Sequence, residues 1–169
     1  MRAVAGEIWL WGSLMPKGLS RAWERLHPML LGLATVVVLW FFGWPLVAIA
    51  KQNHWNVTAL YDAIFSVSGI YTAFLFTFYS FIATSDKGFL GKAKDSIYYR
   101  RTVSFTVSAL ILGAIVTATS LPMLLIEPGL DSRPERLVIV GWLGLTIWAT
   151  AEFVRAAYLF VIFARSQNA

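Results

Sequence analysis

No cysteine occurs in the 169 residues. That excludes a disulfide framework, a thiolate metal site and a cysteine nucleophile. Charge is scarce as well: Asp, Glu, Lys and Arg together make up 14% of the chain, against about 25% in soluble domains. What fills the sequence instead is apolar, 58% hydrophobic and 15% aromatic. A disordered chain needs the opposite balance. A soluble globule of one domain would lack the polar residues to cover its surface. The net charge of +5 does not indicate nucleic acid, because the basic residues fall in short patches between long uncharged runs rather than on one folded face.

Four runs dominate: residues 28–50, 63–83, 102–126 and 137–163, of 23, 21, 25 and 27 residues. Only the last carries charge, Glu152 and Arg155. At 1.5 Å per residue about 20 apolar residues cross a hydrocarbon core of about 30 Å, and in lipid each run must be helical to satisfy its own backbone. The expectation is an all-α, polytopic integral membrane protein, with four transmembrane helices forming an antiparallel bundle over residues 28–165 and a short cytoplasmic tail at 166–169. Pro28 suits a first helical turn, Thr58 and Asp62 flank the start of the second span, and Pro45 is expected to end or kink the first.

Lys and Arg set the orientation. Placing both termini in the cytoplasm puts ten on the inside and three on the outside, with Arg155 uncounted. Residues 1–27 lack the apolar core and cleavage site of a signal peptide. They read as a cytoplasmic amphipathic surface segment broken at Pro16, in which Leu19, Trp23 and Leu26 share a face and Lys17, Arg21 and Arg25 meet anionic lipid headgroups.

Small residues mark two faces. Ser66, Gly69, Ala73, Thr77, Ser80 and Thr84 recur every three or four residues on span 2, and Thr102, Thr106, Ala109, Gly113, Thr117 and Ser120 on span 3. Small residues let helices approach closely in lipid, so the two stripes are expected to face each other. Tyr71, Phe74, Phe78 and Phe81 lie on another side of span 2, where Phe78→Leu should matter less than Gly113→Leu. A hydroxyl-lined path for a solute is the functional alternative. On span 4, Glu152 and Arg155 stand three apart on one helical face and form a candidate intramembrane ion pair, either fixing helix depth or serving as a relay, gate or contact. Lys87, Lys92, Lys94, Arg100 and Arg101 make a cytoplasmic basic patch for anionic lipid or an acidic partner.

No metal set, phosphate loop, dinucleotide fingerprint or nucleophile elbow is present in the sequence. His27 and His54 fall on opposite sides of the expected membrane, with no carboxylate cluster near either. The expectation is a non-enzymatic membrane subunit without cofactor, in a bacterial inner membrane. It would be a homo-oligomer or part of a membrane complex, acting as scaffold, sensor or anchor. The other class is an oligomeric channel or membrane-permeabilising pore, such as an effector of a bacterial defence system.

Overall fold

The computed structural model describes residues 17–53, 56–84, 97–126, 128 and 132–166. All regular structure among them is helical: α1 (Lys17–Gln52), α2 (Val57–Thr84), α3 (Ile97–Ile126) and α4 (Arg133–Ser166). Each contains a window long and apolar enough to cross a membrane, namely Leu26–Gly43, Thr58–Thr84, Tyr99–Ile126 and Arg133–Val161. Between 11% and 33% of each window is buried inside the chain. Most of the apolar surface therefore faces outward.

Capping residues place two helix starts earlier than hydropathy does. Asn56 Oδ1 accepts from Ala59 N at 3.1 Å, so Asn56 rather than Thr58 or Asp62 caps α2. Ser132 Oγ accepts from Glu135 N at 3.3 Å, which opens α4 at Arg133, before the uncharged run. The spacing Ser132–Glu135 is that of a capping box.

Prolines interrupt less than expected. α1 runs unbroken from Lys17 to Gln52 with Pro28 and Pro45 inside it. Pro28 is thus not in a first turn, and residues 17–27 continue directly into the first span instead of forming a separate surface helix. The freed carbonyl is a cost of one hydrogen bond, tolerable in a helix of 36 residues. Pro122 likewise lies within α3, which continues to Ile126. Residues 1–16, including the expected break at Pro16, lie outside the described residues.

Helix α1 packs along α4, α4 along α3 and α3 along α2, with a lesser contact between α2 and α4. Three buried layers descend through α2, α3 and α4. Tyr61, Met123 and Trp142 form one end, Leu112, Val116 and Ala149 the middle, and Leu75, Ala109 and Ala156 the next layer. Polar contacts fix the register. Tyr61 Oη donates to Pro128 O at 3.0 Å, Thr117 Oγ1 to Ser68 Oγ at 3.0 Å, and Tyr99 Oη to Ile82 O at 3.3 Å.

Candidate functional site

The two small-residue stripes do not meet. On α3 the stripe is turned inward: Thr106, Ala109, Gly113 and Ser120 are buried, and Thr102 and Thr117 half-buried. On α2 it is turned outward: Ser66, Ala73, Thr77 and Thr84 are exposed, Gly69 and Ser80 half-buried. The packed face of α2 is the opposite one, with Tyr61, Ser68, Tyr71, Leu75, Phe78 and Ile82 buried. Large side chains of α2 thus fill the shallow small-residue face of α3. This pairing buries rings that also stack on α4, where Phe78 meets Phe160 at 4.5 Å between centroids and Tyr71 meets Phe153 at 5.0 Å. Small against small would leave those rings unpacked. Phe78, expected on the less important face, is therefore a packing residue.

Two of the outward hydroxyls are satisfied within their own helix. Thr77 Oγ1 donates to Ala73 O at 3.0 Å and Thr84 Oγ1 to Ser80 O at 2.7 Å. Backbone carbonyls one turn away remove the penalty that an unpaired hydroxyl carries in an apolar surrounding. The stripe can face outward at small cost.

Glycines set both close helix crossings. A Cβ built on Gly32 would lie 2.8 Å from Gly144 O and 2.8 Å from Trp148 Cβ, so α1 and α4 touch backbone to backbone there. A Cβ on Gly113 would lie 2.5 Å from Thr72 Oγ1 and 3.2 Å from Tyr71 Cε2. Gly69 and Gly141 face open space. Gly32 and Gly144 carried no signal in the sequence beyond being glycines in apolar runs.

Glu152 is 3% exposed and accepts a hydrogen bond from Arg155 Nη2. The Arg155 guanidinium also lies over the Phe105 ring of α3, 3.8 Å from its centroid, a cation–π contact that draws it toward α3. The Trp148 indole N–H is directed at the same carboxylate without reaching hydrogen-bond geometry. From α1, His27 is near enough to act electrostatically on Glu152. His27 lies inside the Leu26–Gly43 window, with one carboxylate, Glu152, near it rather than a cluster. Phe105 stands one turn past Arg101, so the cluster lies about 6 Å along the axis from that basic level. Of the basic patch, Arg100 is exposed and Arg101 half-buried, while Lys87, Lys92 and Lys94 lie outside the described residues. Among the described residues no group of three His, Asp or Glu side chains could hold a metal ion. No family model, curated protein or solved structure matches the chain.

Chemically, the arrangement binds charge inside an apolar body. The carboxylate is held by the guanidinium of its own helix, which in turn lies against the Phe105 ring of α3. A shallow groove of about 280 Å³ between α3 and α4, lined by Pro122, Met123, Ile126, Pro134 and Val138 among others, lies at the opposite end of the bundle.

Proposed function

We propose that the chain is a small non-enzymatic integral membrane protein that works as an assembling subunit, a scaffold, sensor or anchor, joining further copies of itself or another membrane protein. The observation that carries this reading is the outward stripe of α2. Ser66, Ala73 and Thr77 are exposed, although small residues in lipid are the usual device for close contact between helices. Among the described residues no helix lies against this face, so the partner proposed for it is a helix from another chain.

The same reading takes the four helices as alternating, antiparallel spans of a bacterial inner membrane, with both termini on the cytoplasmic side where ten basic residues gather. The rich aromatic packing of the bundle, Tyr61 on Trp142 and Phe78 on Phe160, supports assembly over conduction through a single copy. Native mass measurement in lipid nanodiscs or mild detergent tests the proposal. Wild type should appear as an oligomer or with a retained partner, and Ala73→Phe, at an exposed site, should leave a folded monomer. A wild-type chain found only as a lone monomer contradicts it, and flux of ions through vesicles carrying the purified chain would favour a pore instead.

A further inference from the structure

We propose that the groove between α3 and α4 holds one acyl chain of a phospholipid whose ethanolamine phosphate headgroup sits at the groove mouth, beside Arg133 and Glu135. The α2 face proposed for assembly contributes none of the lining, so the two sites are separate.

The groove has two adjoining parts, of about 280 Å³ and 360 Å³, which share Pro122, Met123 and Val138. The first opens at Pro134 and Glu135, in the first turn of α4. The second continues past Gly141 to Leu145. Ten residues of α4 separate Glu135 from Leu145, about 15 Å of helix axis. That is half of a hydrocarbon core of about 30 Å, the depth of one leaflet. The length fits a chain that enters at the interface and stops near the midplane. A partner helix would be followed along far more of the span.

The lining selects an apolar occupant. Thr119 Oγ1 donates to Ile115 O at 2.8 Å, and Trp142 Nε1 to Ser120 Oγ at 3.2 Å. Neither retains a proton to offer a ligand. Gly141 lines the groove, and a Cβ built on it meets nothing within 4 Å. The passage along α4 is open at that point.

A lipid tail gains little by exchanging other tails for an apolar wall. Selectivity therefore comes from the headgroup, and the mouth carries both signs. Arg133 is exposed, and Glu135 is half-buried in the groove wall two residues further on. An anionic headgroup would meet Arg133 but also the local excess of carboxylate, since residues 127–136 hold Glu127, Asp131 and Glu135 against Arg133 and Arg136. A zwitterionic headgroup matches both signs, its phosphate toward Arg133 and its ammonium toward Glu135. A primary ammonium donates N–H to the carboxylate, whereas choline has no N–H to give.

Native mass spectrometry of the full chain tests the site. Protein stripped of lipid in mild detergent is given an equimolar mixture of dioleoyl phosphatidylethanolamine, phosphatidylcholine and phosphatidylglycerol. One phosphatidylethanolamine per chain should be retained, about tenfold over either of the others, the selectivity of one charge-assisted hydrogen bond. Glu135→Gln keeps a side chain able to close the capping box and should erase the preference over phosphatidylcholine. Gly141→Phe, in open space, and Val138→Trp, at an exposed position, each fill the groove. Both should abolish retention of all three lipids without moving the denaturing-detergent transition. Equal retention of the three lipids, or retention that survives both groove-filling variants, overturns the proposal. So does conversion of an oligomer to a monomer by those variants with lipid retention intact, which would put a second copy of the chain in the groove.

Discussion

Gly32, Gly113 and Gly144 are the positions where one methyl group has nowhere to go. Gly32 is the strictest, since its Cβ would meet the backbone oxygen of Gly144 at 2.8 Å, and backbone cannot rotate aside. Gly32→Ala should therefore lower stability by about 1–3 kcal/mol, the usual range for overpacking, read as an earlier transition on titration with a denaturing detergent. Gly141→Ala faces open space and should leave that transition in place or raise it slightly through helix propensity. Equal losses at both sites would show that α1 does not cross α4 at this point. A second residue-scale prediction concerns the bond from Trp142 Nε1 to Ser120 Oγ, 3.2 Å. Ser120→Ala leaves the indole N–H buried without an acceptor and should cost about 1 kcal/mol by the same titration. Trp142→Phe in the Ser120→Ala background should recover part of it.

At the scale of the element, α2 is the instructive case. Its two faces were legible in the sequence, a small-residue stripe and an aromatic side, because period 3.6 separates them cleanly. Which face points inward was not legible. In a soluble helix the apolar face is the buried one, but against lipid both faces are apolar enough to be outside, and hydropathy loses its power to choose. The α3 stripe was read as inward, but as the partner of the α2 stripe rather than of the α2 rings that fill it. The pairing of Glu152 with Arg155 was likewise legible from their spacing, whereas His27 was not, since its approach depends on the α1–α4 register set by Gly32 and Gly144. The pair gives the next prediction. Glu152→Gln should harm stability more than Glu152→Gln with Arg155→Gln, because the single change strands the guanidinium. A double-mutant cycle should return a coupling of about 1–3 kcal/mol, and a value within error of zero would mean that the two residues act separately.

At the scale of the whole molecule, four apolar helices and their order along the chain follow from composition and run length alone. Neither the continuity of α1 through Pro28 nor the row in which α1 leans on α4 was visible there, because both are settled by tertiary packing rather than by local preference. The proposed topology makes reporters fused at Asn53 and Ser132 face outward and those at Gly91 and Ala169 face the cytoplasm, and a cytoplasmic signal at Ser132 would break the pairing of the spans. The central claim is that the outward stripe of α2 is an assembly face, and cysteine cross-linking in native membranes tests it most directly on a chain with no cysteine of its own. Ala73→Cys, on the exposed stripe, should give a cross-linked dimer in high yield, while Ile111→Cys, on the exposed side of α3, should not. Equal yields at the two sites, or a product from Ile111→Cys alone, would contradict the account.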